Sequence, residues 1–142
     1  MKPRCAILAA EFARAIVNVM VEEAKAEAAA GGAEVASVVR VPGAYETPLL
    51  ADAILSDPGI DFIVVLGFIE RGETLHGEVM GHVVHSTLVQ LQLKHKKPLG
   101  IGIIGPGATS EQAEKRKVDY ARAAVRAAMH NWNLLHARDI VM

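Results

Sequence analysis

Four short apolar runs, at residues 5–10, 35–41, 62–66 and 99–104, punctuate the chain, and a longer stretch of helical character follows each one. Few architectures accommodate that alternation. Three of the runs are rich in Val and Ile, and each ends at or near Gly, Pro or a polar turn, so all four read as strands. Their apolarity is mostly continuous rather than alternating. Both faces are therefore expected to be covered, as in a parallel sheet held between helices.

The intervening stretches supply those helices. Residues 14–30 are rich in Ala, Glu and Lys, good helix formers, and Gly31-Gly32 stops them. Residues 47–55 predict a short helix closed by Asp57-Pro58-Gly59. From about residue 75 to 95, Met80, Val84, Leu88 and Leu91 recur at helical spacing. A last helix spans about 110–135, with Thr109 or Ser110 placed to cap it and Ala121, Ala124, Val125 and Ala128 forming a small-residue face. The order β-α-β-α-β-α-β-α, with right-handed crossovers, predicts a three-layer α/β/α sandwich around a four-stranded parallel sheet.

Composition narrows the function classes. A chain of 142 residues, 51% hydrophobic and 22% charged, has the length and apolar content for one folded domain over residues 1–142. A net charge of −1 gives no concentrated positive field for nucleic acid or anionic membrane, so neither is an expected partner. The single cysteine, Cys5, lies in an apolar run and reads as a buried small hydrophobe. Without a disulfide framework, a secretory signal or a membrane-length apolar run, a cytoplasmic setting is expected.

In such sheets ligands sit beyond the carboxyl ends of the strands. Four segments fall there: Glu11-Phe12, residues 42–46, residues 67–76 and residues 105–109. The segment Gly67-Phe68-Ile69-Glu70-Arg71-Gly72-Glu73-Thr74-Leu75-His76 follows a strand and opens a helix. Its two glycines permit tight turns, and the helix start offers unpaired N–H groups that suit a phosphate. His76 falls just inside the helix, and a histidine's reference pKa of ~6.5 suits proton transfer near neutrality. The same residues also fit an ordinary turn with a capping Thr and a surface His. Pro42-Gly43-Ala44-Tyr45-Glu46-Thr47-Pro48 forms a second turn, where Glu46 can accept polyol hydroxyl protons or simply favour the helix dipole. Phe12, one of six aromatic Phe, Tyr and Trp residues, can stack on a flat heterocycle or merely pack.

Taken jointly, these stretches resemble lumazine synthase. The matching segments are Ala10-Glu11-Phe12, Val41-Pro42-Gly43-Ala44-Tyr45-Glu46-Thr47-Pro48-Leu49, and Leu66-Gly67 through Arg71-Gly72-Glu73-Thr74-Leu75-His76. Lys97-Pro98-Leu99-Gly100-Ile101-Gly102-Ile103 and Gln112-Ala113-Glu114-Lys115-Arg116 continue the match in family order, from about residue 4 to 135. The Gly105-Pro106-Gly107 loop resembles the archaeal-type branch.

The resemblance implies a flavodoxin-like fold and a transferase of riboflavin biosynthesis. Such an enzyme condenses 5-amino-6-(D-ribitylamino)uracil with 3,4-dihydroxy-2-butanone 4-phosphate. It implies that Phe12 stacks on the pyrimidine, with Phe68, Ile69 and Glu70 lining that pocket, and that Ala44, Tyr45 and Glu46 hold the ribityl chain. Backbone N–H groups at Glu73 and Thr74 would hold the phosphate. Arg116 would pair with it, commonly across a subunit boundary, with Lys115 and Lys117 as neighbouring candidates. His76 matches the proton-transfer histidine. The implied enzyme needs no cofactor and no metal, and it forms a homopentamer, in many members assembled further into a sixty-subunit icosahedral capsid. Phe68, Glu70 and Gly77 depart from the family's usual residues.

Other readings compete. Glu78, His82 and His85 share one helix face at i, i+4 and i+7, a spacing open to a transition metal, although an ordinary polar stripe explains it as well. An archaeal-type riboflavin synthase would use the lumazine as substrate, but the Gly-Glu-Thr-x-His element points away from it. A noncatalytic shell or flavin-binding homologue would keep the fold without the turnover.

Overall fold

The computed structural model describes residues 2–137. Along the chain run strand β1 (Arg4–Ala10), helix α1 (Arg14–Ala30), β2 (Glu34–Val41), a 3-10 turn (Ala44–Glu46), α2 (Thr47–Leu55), β3 (Phe62–Glu70), α3 (His76–His95), β4 (Leu99–Ala108) and α4 (Ser110–His136). The strands form one parallel sheet in the order β2-β1-β3-β4. The expected flavodoxin-like sandwich is present. One layer packs α1 and α4 against one face; α2 and α3 cover the other.

Side-chain alternation along β3 feeds both layers. Phe62, Val64, Leu66 and Phe68 point into the α1/α4 core, whereas Ile63, Val65 and Ile69 point into the α2/α3 core. The strand is buried throughout except for Glu70. Cys5 is fully buried in β1, and burial pushes its thiol up to about 11. That thiol is a core hydrophobe, as the sequence suggests.

Helix ends follow the local chemistry. Gly32 takes a positive φ of 87° just beyond α1. The Lys97 ammonium donates to the Leu55 and Asp57 carbonyls, each at 2.9 Å, and closes the C-terminus of α2. Thr109 caps α4 in a reciprocal capping box with Gln112. Small residues let α4 lie close on the sheet. A Cβ added to Gly100 would lie 2.1 Å from the Ala124 carbonyl oxygen.

Three sequence expectations need correction. Strand β3 runs past Leu66 to Glu70, and β4 runs past Ile104 to Ala108. Gly67 looks like a turn residue in sequence, yet it stays in β3, where an added Cβ would lie 3.4 Å from the Ala10 Cβ. Neither Gly67 nor Gly72 uses a left-handed conformation; positive φ falls instead on Gly32, Gly105 and Gly107. Finally, β2 is an edge strand, and of its eight residues only Val41 is fully buried. Its valines support β structure without being covered on both faces.

Candidate active site

A cleft of about 440 Å³ opens beyond the carboxyl ends of β1, β2 and β3. Phe12 and Phe68 line it, together with Pro42 through Ala44, Glu46, Ile69, Glu70 and the start of α3 at His76 and Gly77. The walls are mostly apolar, with a few polar groups converging from different elements, which is the usual make-up of a small-molecule site.

Each wall has a structural origin. Glu11 N donates to the Val41 carbonyl at 2.7 Å and Phe12 N to the Pro42 carbonyl at 3.1 Å, so the ends of β1 and β2 are tied together. Phe12 then stands 51% exposed, while Phe68 beneath it is 3% exposed. Their ring centroids are 6.4 Å apart and tilted by 40°. On the other wall, the buried Thr47 hydroxyl donates to the Ala44 carbonyl at 2.6 Å and stiffens the 3-10 turn that presents Ala44 and Glu46.

His76 is the first residue of α3, as expected. Its backbone N–H approaches the Thr74 Oγ1 at 3.3 Å, and the Tyr45 ring meets its imidazole edge-on, with centroids 6.0 Å apart. Gly77 explains itself here. A Cβ at that position would come within 3.1 Å of the Glu70 carbonyl oxygen, so a side chain there would press the first turn of α3 a few tenths of an ångström away from the end of β3.

A second recess of about 370 Å³ adjoins the first, lined by residues 70–75 with Gly77, Glu78 and Gly107. Gly72 and Thr74 contribute to both spaces. Glu73 faces only the second. Of the sequence-derived candidates, Phe12, Ala44, Glu46, Phe68, Ile69, Glu70, Thr74 and His76 therefore meet around one cleft. Tyr45 touches it through His76 and is itself 43% exposed. Arg116 lies elsewhere: it is exposed on α4, lines neither space, and forms no ion pair among the described residues. Lys115 and Lys117 are engaged by Glu111 and Glu114.

Sequence reasoning also passed over two contributors. Met80 read as a core position on α3, yet it lines the cleft; its i+4 spacing from His76 was the available signal. Ser110 read only as a possible cap, but its hydroxyl donates to the Glu70 carboxylate. The Glu78, His82 and His85 face does not converge. His82 lies 3.8 Å from Glu78, whereas the His85 Nε2–H donates to the Gly105 carbonyl at 3.1 Å. No group of three or more His, Cys, Asp or Glu among the described residues is placed to hold a metal ion.

A parallel, flavodoxin-like sandwich with a ligand-sized cleft past its strand ends and a histidine at the lip belongs to the class of α/β small-molecule enzymes. A family model described as 6,7-dimethyl-8-ribityllumazine synthase matches residues 2–136. The chain belongs to that family. The 6,7-dimethyl-8-ribityllumazine synthase of Metallosphaera sedula is 42% identical over 123 residues, covering 87% of this chain and 82% of that protein. Those of Aeropyrum pernix and Pyrobaculum arsenaticum are 40% and 37% identical, covering 90% and 89% of this chain and 88% and 84% of their own.

Proposed function

We infer that the protein is a 6,7-dimethyl-8-ribityllumazine synthase of riboflavin biosynthesis, joining 5-amino-6-(D-ribitylamino)uracil to 3,4-dihydroxy-2-butanone 4-phosphate with release of phosphate. The amine adds to the ketone to give a carbinolamine, which loses water to an imine. Loss of phosphate breaks the C–O bond at the far end of the ketose. Ring closure by the ribitylamino nitrogen and loss of a second water complete the lumazine. Each step moves protons, and none changes the overall oxidation level, so the chemistry calls for no redox cofactor or metal.

The cleft accommodates these roles. Phe12 offers an exposed ring for the pyrimidine, backed by Phe68, with Ile69 and Glu70 along the β3 edge. Ala44, Tyr45 and Glu46 hold the ribityl chain, whose hydroxyls donate to the Glu46 carboxylate. The backbone N–H groups at Glu73 and Thr74 take the phosphate next to the start of α3, where the helix dipole favours an anion. His76 transfers protons between them. The observation that carries the reading is His76 lining an apolar, aromatic-walled cleft while its chain neighbours Leu75 and Gly77 line the adjoining recess, so that substrates held in the two spaces would meet beside it.

Arg116 lines neither the cleft nor the recess of its own chain, which supports its acting on a neighbour's phosphate in a homopentamer that can assemble further into an icosahedral shell. We take residues 1–142 as one cytoplasmic domain; among the described residues no helix is long and apolar enough to cross a membrane. Purified protein mixed with both substrates is expected to form lumazine well above an enzyme-free control. A background rate from folded protein with competent substrates overturns the synthase reading.

A further inference from the structure

The two neighbouring spaces share four residues, Glu70, Gly72, Thr74 and Gly77, and of these only Glu70 carries a charge. Its backbone is pinned: Glu70 pairs in register with Ala108 of β4, and the Arg71 N–H donates to the Ala108 carbonyl at 2.7 Å. Its side chain is pinned as well, because the Ser110 hydroxyl donates to Oε2. Ser110 follows directly on Thr109, whose capping box with Gln112 fixes the start of α4. One carboxylate oxygen is thereby occupied while the other, Oε1, remains an acceptor.

We propose that Glu70 is a specificity-determining residue that favours binding of the amino-uracil over that of the anionic butanone phosphate, and that Ser110 is the positioning residue that fixes its carboxylate. The inference rests on the synthase reading. The amino-uracil is rich in N–H donors, and Oε1 accepts a hydrogen bond from one of them. The butanone phosphate is an anion, and the same carboxylate, standing where the two spaces meet, weakens its hold on the backbone N–H groups of the neighbouring recess, which Glu73 and Glu78 also line. One fixed negative charge thus strengthens the binding of one substrate and weakens that of the other.

The consequence is a pair of opposite effects. Glu70→Ala is expected to raise KM for the amino-uracil by about 10-fold, the size of a lost hydrogen bond to a charged group at a solvent-accessible site. Glu70→Gln keeps an acceptor and raises it by about 3-fold. Both lower KM for the butanone phosphate by about 2- to 5-fold, and both tighten inhibition by inorganic phosphate to a similar degree. Ser110→Ala moves both constants in the same directions by smaller factors, and Ser110→Thr restores them. A structural role would not separate the two substrates in this way.

The test is steady-state kinetics with each substrate varied in turn, beside calorimetric titration of inorganic phosphate into wild type and Glu70→Gln. Thermal unfolding checks that the variants are folded, and Glu70→Gln carries the test if Glu70→Ala does not fold. Opposite shifts in the two KM values establish the proposal. Parallel shifts, or none, in variants of an active enzyme overturn this inference alone. A wild type without turnover overturns the synthase reading and this proposal together.

Discussion

His76 gains its position from its place at the start of α3 and from two neighbours: its N–H meets Thr74, and Tyr45 sits edge-on to its ring. Positioned acid–base groups typically contribute ~100- to 10,000-fold in rate, and holding two substrates together contributes several kcal/mol besides. His76→Ala is therefore expected to lower kcat within that range while still forming lumazine above background. Steady-state assays with protein shown to be folded and substrate-binding check this. Complete loss would show that proton transfer, not orientation, dominates. His76 and Glu46 were legible from sequence because turn residues, a helix start and the family's motif coincide there. Phe68 and Glu70 were legible as cleft residues but not as strand residues, since Gly67 imitates a turn. The partner of Glu70 was not legible at all. Ser110 lies 40 positions away, and no local pattern announces a contact made by strand pairing.

Among the elements, α4 depends on small residues on both sides of its contact with β4. With 2.1 Å between an added Cβ at Gly100 and the Ala124 carbonyl oxygen, Gly100→Ala must push the helix or the strand aside. Overpacking of this kind costs about 1–3 kcal/mol, read as a lower urea midpoint. Gly72→Ala makes the control, because its Cβ would meet nothing within 4 Å and its backbone is not left-handed; stability there stays unchanged.

Helices α2 and α3 meet through Asp52. Its carboxylate accepts from His95 Nε2 at 2.6 Å and from the Lys94 ammonium at 2.9 Å. The His95 hydrogen bond, and after it that of Lys94, hold the Asp52 carboxyl below its ordinary value of 3.8. A depressed carboxylate stabilises the fold above its unfolded value and loses that contribution as pH falls through the folded one. Asp52→Asn is therefore expected to be less stable than wild type at neutral pH, with the gap closing well below pH 3.8 in urea titrations. A gap that persists unchanged in acid would point to packing instead. Element identity was largely readable because apolar runs and helix stops agree. The strand ends were not, because ladder bonding to a neighbour outweighs a glycine's local preference.

At the scale of the molecule, one chain assembles most of a site but leaves Arg116 outside it. If Arg116 serves a neighbouring cleft, the defects of His76→Ala and Arg116→Ala lie on different chains. Refolding the two variants together then creates some sites with both residues intact, and activity rises above the mean of the separate parents. Activity equal to that mean would place Arg116 in its own chain's reaction. The sheet layout was predictable from the order of elements, whereas assembly was not, since the surfaces that would touch carry no periodic signal. A last consequence follows from the end of β3, where Phe68 and Ile69, one peptide bond apart, project into opposite cores. Sliding that strand by a single residue would put Ile69 and Glu70, or Gly67 and Phe68, in their two places. The pairing of β3 with β4 is itself irregular between Phe68 and Glu70, so the register fault that the sheet tolerates lies at the floor of the cleft.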